Sequence, residues 1–299
     1  VSLVGSKESF KYIVSQNRET TLEQFETKKR NLPHVDAPDI SYDVEVSDRD
    51  GSLAAESFEM DRSAWGFTPG WLLIILTSVP LIASLFWWLG STYFESKLTF
   101  FEYHQFCVVI AGVVAGGYQL YFWVQRNNQH IPARCLKLAI DDSIPFWPRC
   151  VWTYSLFYYV MIGLTVMSIR DLAHGVHLIF GGLMLVVIGT IIYYLYPTVV
   201  PRSYRDFEVN SLSTRYLAFI QTMDNNRNAF PSMHSAIGTY IGLTVTAIPM
   251  IGTWLGYGHI IIITFSCVAV KQHVLVDTIA GVALGASVFY VNMWLLVFM

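Results

Sequence analysis

The chain has 299 residues, of which 54% are apolar and 15% aromatic, while only 14% carry charge. That balance excludes an ordinary soluble domain and a disordered polypeptide. The formal net charge of −3 gives no basic excess for nucleic acid, and none is expected as a partner.

Residues 1 to 66 read as a cytoplasmic tail, separate from the transmembrane catalytic domain expected over 67–299. Ser6 can cap a helix from Lys7 to Arg30, with Phe10, Ile13, Val14, Leu22 and Phe25 on one stripe. Asp36, Asp39, Asp43, Glu45, Asp48 and Asp50 follow, with Pro33 and Pro38 nearby, a pattern of extended or disordered chain.

Uncharged runs of about 18–22 residues, the length that spans ~30 Å of hydrocarbon, then follow one another. They lie at Trp71–Leu89, Cys107–Val124, Val151–Ile169, His177–Tyr196, Met233–Met250, Thr253–Val270 and Val276–Met299. The spacing predicts an all-α polytopic membrane bundle of about seven crossings. The first run lies too far into the chain for a secretory signal peptide.

Lys and Arg are distributed unevenly. Eight precede Trp71. Arg134 and Lys137 lie in the second connection, Arg202, Arg205, Arg215 and Arg227 in the fourth, and Lys271 follows the sixth run. Seven crossings put these on one side, with Lys97 and Arg170 opposite. The positive-inside rule therefore places the amino-terminal side and the candidate site in the cytoplasm, with the carboxyl terminus across the membrane.

The segment Gln125–Pro148 reads as interfacial, its apolar Ile131, Leu136, Leu138, Ile140, Ile144, Phe146 and Trp147 interleaved with Arg134 and Lys137. Gly112-Val-Val-Ala-Gly116 and Gly281-Val-Ala-Leu-Gly285 are patterns that let helices approach closely. Cys107, Cys135, Cys150 and Cys267 have no metal-ligand spacing and read as free thiols.

Three segments place reactive groups at the ends of runs: Tyr196-Pro-Thr-Val-Val-Pro-Arg202, Asn228-Ala-Phe-Pro-Ser-Met-His-Ser235 and Lys271-Gln-His-Val-Leu-Val-Asp277. From His234 to His273 is about 39 residues, or roughly 58 Å of helix, out across the bilayer and back. Both histidines thus return to one face, which is also that of Arg202.

The residue types suit phosphoryl transfer. His273 and Asp277 share a helical face, so a carboxylate can hold one ring nitrogen while the other attacks phosphorus. His234 can protonate a departing alkoxide. Ser232 and the first free N–H groups of the following helix can hold phosphate oxygens, and Arg202 supplies a permanent bidentate cation. Lys271 is either a further phosphate ligand or an interfacial cation. His104, His174, His177 and His259 read as packing residues.

At these positions the chain resembles the type 2 phosphatidic acid phosphatase superfamily. Phe230-Pro-Ser-Met-His-Ser235 is similar to its second signature, and His273-Val-Leu-Val-Asp277 with Thr-Ile-Ala-Gly281 to its third. Within it, the likeness is greatest to the inositol phosphorylceramide synthase branch, on Asn228-Ala-Phe-Pro-Ser-Met-His, the Tyr-Pro-Thr-Val-Val-Pro-Arg stretch and Asp142-Ser-Ile-Pro-Phe-Trp-Pro148. The likeness covers roughly residues 130–290 and implies a six-helix lipid-phosphatase-like core. It also implies a phosphohistidine on His273, orientation by Asp277, proton donation by His234, and phosphate binding by Arg202 and Ser232.

Two cations of the phosphatase pattern are replaced, one by Leu195 and one by Cys267. A phosphate monoester brings nearly two negative charges and a diester one, while each charge-assisted contact contributes ~1.5–3 kcal/mol. The losses favour a phospholipid diester donor, with a lipid or polyol acceptor in the membrane. A lipid phosphatase, with water as acceptor, is the alternative, and a non-catalytic lipid-binding scaffold the third reading. Neither enzymatic scheme calls for a metal or other cofactor.

Overall fold

The computed structural model describes residues 69–297, apart from 223 and 225. The tail expected at 1–66 and its helix Lys7–Arg30 lie outside the described residues.

Eight α-helices form among the described residues: α1 Pro69–Tyr93, α2 Phe100–Asn127, α3 Tyr158–Met167, α4 Leu172–Leu195, α5 Leu212–Thr222, α6 Met233–Val245, α7 Gly252–Ala269 and α8 Leu275–Val297. Helix starts are specified locally. Thr99 and Glu102 form a reciprocal capping box before α2. The Asp171 carboxylate accepts from the His174 amide at the start of α4, and the Ser232 hydroxyl accepts from the Ser235 amide at the start of α6.

Among the described residues, five segments are long and apolar enough to cross a membrane: Phe100–Asn127, Pro148–Met167, Leu172–Leu195, Gly252–Ala269 and Leu275–Leu295. The architecture is the expected helical membrane bundle. The run Met233–Met250 differs from its expected length. Its helix stops at Val245 after 13 residues, or about 20 Å. A tight turn then carries Pro249, which has no N–H to continue the helical ladder. Outward faces are apolar, with Leu81, Trp254, Ile261 and Ile279 all exposed, as a lipid solvent allows.

Glycines set the closest contacts. A Cβ on Gly281 would lie 2.3 Å from the Ser232 carbonyl oxygen, and one on Gly285 2.1 Å from that of Ala236. This pattern therefore seats α8 directly on α6, as its spacing implied. Gly242 and Gly256 bring α6 against α7 in the same way. Gly112 and Gly116 do not behave so, because a Cβ at either meets nothing within 4 Å. They lie on an exposed face of α2.

Polar groups inside the bundle are paired across helices. Asn292 donates to the His177 carbonyl at 2.8 Å and to the Tyr240 hydroxyl at 2.9 Å, and its carbonyl oxygen lies 3.2 Å from His177 Nδ1. His104 is held by the Phe100 carbonyl and Ser84. His259 is buried against Phe157, and neither ring nitrogen has a partner among the described residues. All four cysteines are free.

At one end of the bundle the connections fold over one another. The two-residue strands β1 Arg134–Cys135 and β2 Thr198–Val199 pair in parallel, and Thr198 also bridges to Asn228. The segments that carry the candidate site are joined there by backbone hydrogen bonds.

Candidate active site

His273 lies in the short turn between α7 and α8. The amides of Gln272 and His273 both donate to the Cys267 carbonyl, closing the end of α7. Lys271 takes the left-handed conformation in this turn, with φ of 58°, a position commonly filled by glycine. Its ammonium is directed away, donating to the Asp141 carbonyl at 2.7 Å and lying 4.6 Å from the Tyr204 ring centroid.

Asp141 is the support for this turn that the sequence did not reveal. Its carboxylate accepts from the Leu275 amide at 2.7 Å, at the start of α8, and from the Leu138 amide at 2.7 Å. Burial pushes the Lys271 pKa down from the usual lysine value, and the nearby Asp141 opposes that shift. Asp142, quoted for the resemblance, pairs with Lys137 instead, at 2.6 Å.

The imidazole of His273 is fixed by backbone. Its Nδ1 is 3.0 Å from the Ala229 carbonyl oxygen, a contact that assigns the proton to Nδ1 and leaves Nε2 with a free lone pair. The Asp277 carboxylate is 3.7 Å from the same nitrogen, beyond hydrogen-bond distance. Its Oδ2 accepts from the Val274 amide at 3.0 Å, while Oδ1 has no partner among the described residues. The hydrogen bond at Nδ1 expected of Asp277 is made by the Ala229 carbonyl instead.

His234, in the first turn of α6, lies with its ring centroid 6.3 Å from that of His273. The two histidines meet at one face, as their spacing required. His234 stacks on Tyr154 at 4.0 Å and lies 5.5 Å from Tyr158. Tyr154 belongs to a π-helical turn, Thr153–Phe157, that leads into α3. Such turns are often found at functional sites, but no pattern in the sequence marked this one.

Both histidines line a cavity of about 370 Å³ between α2, α3, α4 and α6. Its wall is apolar and rich in tyrosine, including Tyr118, Tyr121, Tyr158 and Tyr193. Its polar end carries Asp224, Asn226, Asn228 and Gln272 beside the histidines. An apolar wall with a few polar groups gathered at one end is the usual make-up of a small-molecule pocket.

Three expected phosphate ligands lie outside this lining. Ser232 is fully buried, and its hydroxyl contacts Ser235 and, at 3.8 Å, the Cys267 sulfur. Arg202 sits exposed in the turn Arg202–Arg205. Lys271 faces Asp141, as above. Arg205, in the same turn as Arg202, pairs with Asp224 at 3.2 Å. Arg227 is buried with Asn128 and the Ile131 carbonyl.

The arrangement combines two imidazoles across a small gap with a cavity whose wall is apolar and rich in tyrosine. A family model described as PAP2 superfamily matches residues 135–291, just over half of the chain. The chain belongs to the PAP2 superfamily. The matched stretch contains both histidines, Asp277 and most of the connections that fold over them. Membership in the PAP2 superfamily points to a lipid phosphatase or phosphotransferase. No curated protein and no solved structure matches the chain.

Proposed function

We propose that this PAP2 protein is a membrane-embedded phosphotransferase that moves the phosphoryl headgroup of a phospholipid diester, in the manner of the inositol phosphorylceramide synthase branch. One observation carries the reading: among the described residues, the cavity that holds His273 and His234 is lined by no Lys or Arg. A dianionic monoester there would meet histidines, neutral groups and the acidic Asp224 but no cation of the lining, whereas a monoanionic diester needs less compensation. Cys267, in place of one superfamily cation, is buried against two serine hydroxyls.

In the proposed reaction His273 Nε2 attacks phosphorus. The bond from phosphorus to the diacylglycerol oxygen breaks, and that oxygen takes a proton from His234. Diacylglycerol leaves, and a phosphohistidine remains whose phosphorus keeps a single ester bond, to the headgroup. An acceptor hydroxyl then attacks phosphorus, giving its proton to His234 as the phosphorus–nitrogen bond breaks. Asp277, at 3.7 Å, balances the positive charge that builds on the His273 ring.

The test is lipid-resolved turnover by purified protein, with labelled phospholipid and with or without alcohol-bearing lipids or polyols. Diacylglycerol release that rises with acceptor supports the transferase. Inorganic phosphate released from phosphatidate, with no diester cleavage, would establish the phosphatase in its place.

A further inference from the structure

The turn that presents His273 also decides which neighbour meets the substrate. Lys271 and Gln272 are adjacent, yet only Gln272 lines the cavity. The left-handed backbone at Lys271 sends the ammonium to the Asp141 carbonyl. Gln272 is then carried inward beside the nucleophile, only 6% exposed. Its Nε2 has no hydrogen-bond partner among the described residues. Leaving a buried amide donor unpaired is costly, and the chain tolerates it immediately next to the reacting imidazole.

We propose that Gln272 is the specificity-determining ligand of the site, donating from its side-chain amide to a non-bridging oxygen of a monoanionic phosphodiester. The inference rests on the diester reading above and names the group that enforces it. An amide supplies a hydrogen bond without a full charge. It therefore supports one negative charge on phosphorus and does little for a second. Asn228, across the His273–Ala229 contact, shares the feature. It is 3% exposed, lines the same cavity, and its Oδ1 is also unpartnered, while its Nδ2 is held by the Tyr121 carbonyl. The two amides thus flank the held imidazole, one offering a donor and the other an acceptor. The nearby cations are already paired: Lys271 with the Asp141 carbonyl, and Arg205 with Asp224 at the polar end of the cavity.

The probes are didecyl phosphate, with one charge, and monodecyl phosphate, with two, bound to the full chain in detergent. Gln272→Leu removes the donor, and nearly isosteric Gln272→Glu replaces it with a carboxylate. Loss of one hydrogen bond to an anion weakens didecyl phosphate binding by about tenfold in Gln272→Leu. In Gln272→Glu the loss is larger at about pH 8, and affinity returns toward about pH 5 as the carboxyl regains a proton to donate. Gln272→Lys moves preference toward monodecyl phosphate. A merely structural role would not produce this pH reversal or change in charge preference. Unchanged didecyl phosphate affinity in both Gln272→Leu and Gln272→Glu overturns the assignment. If Gln272→Leu fails to fold, the pH series on Gln272→Glu decides alone. Wild type that binds didecyl phosphate with this pattern, yet releases no diacylglycerol from phospholipid, defeats the transferase reading and leaves the ligand assignment standing.

Discussion

The carbonyl oxygen of Ala229 lies 3.0 Å from Nδ1 of His273, while the nearer carboxylate oxygen of Asp277 is 3.7 Å from the same atom. A peptide carbonyl thus sets the tautomer, and the carboxylate acts on the ring mainly through its charge. Ala229 belongs to the segment that leads into α6, so the second and third signatures are joined at His273, the proposed nucleophile.

The first expectation follows from that division. His273→Ala abolishes turnover and phosphohistidine labelling, because no other described imidazole nitrogen is similarly placed. Asp277→Asn retains the carbonyl contact and the ring orientation, so it lowers kcat while leaving residual labelling. Acid-labile trapping of labelled phospholipid measures both. Full labelling of His273→Ala would assign the nucleophile elsewhere.

His234 is the expected proton donor and acceptor, and its removal as His234→Ala lowers kcat by ~10²–10⁴. Substrates with a more acidic leaving group recover part of that loss, since they need less proton donation. Tyr154 only stacks on His234, at 4.0 Å. Tyr154→Phe, which keeps the ring, therefore leaves kcat near wild type. Equal sensitivity of good and poor leaving groups to His234→Ala would remove the general-acid role.

Asp141 and Lys271 divide structure from chemistry. The Asp141 carboxylate satisfies two backbone amides, so Asp141→Ala destabilises the fold by about 1–3 kcal/mol as those buried donors lose their acceptor. Thermal unfolding in detergent reads this directly. Lys271→Met loses one contact to a carbonyl and leaves the KM for phospholipid unchanged. A large rise in KM with unaltered melting would return Lys271 to the phosphate.

The two replaced cations are not equivalent in space. Leu195 is 66% exposed near the end of α4, outside the cavity lining. Leu195→Lys alone accordingly leaves the ratio of monoester to diester turnover unchanged, since water screens its charge. Cys267 is fully buried between Ser232 and Ser235. Cys267→Arg raises that ratio, and it lowers stability by placing a cation in a closed site. Melting and the turnover ratio are measured together, and a folded Cys267→Arg with an unaltered ratio would end the charge argument.

Sidedness calls for reporters in the connections. Ser235 is fully buried and Ser203 is exposed, so Ser203→Cys is the informative variant. The charge asymmetry of the sequence gives the expectation that this loop is cytoplasmic. An impermeant thiol reagent on sealed cells should therefore label Ser203→Cys no more than wild type until the membrane is opened. Rapid labelling of intact cells would invert the topology and leave the shared face of the histidines as it is.

The sequence alone determined the solvent, the element type and the convergence of the reactive groups. Uncharged runs long enough to cross hydrocarbon specify helices, because backbone polar groups in lipid must be satisfied within the segment. An out-and-back path of fixed rise per residue returns His234 and His273 to one face, and four-residue spacing puts Asp277 beside His273. Tertiary structure decided which polar residues of the signatures face the cavity. Ser232 and Lys271 share their segments with Asn228 and Gln272, yet the first pair is turned away and the second inward. The left-handed turn at Lys271 is made possible by Asp141, 130 residues earlier in the chain. The direction of Asn228 follows from its bridge to Thr198 and its bond to Tyr121. Each outcome depends on a partner from a distant segment. Local periodicity reports only the face of an element, so it could not have distinguished the two pairs.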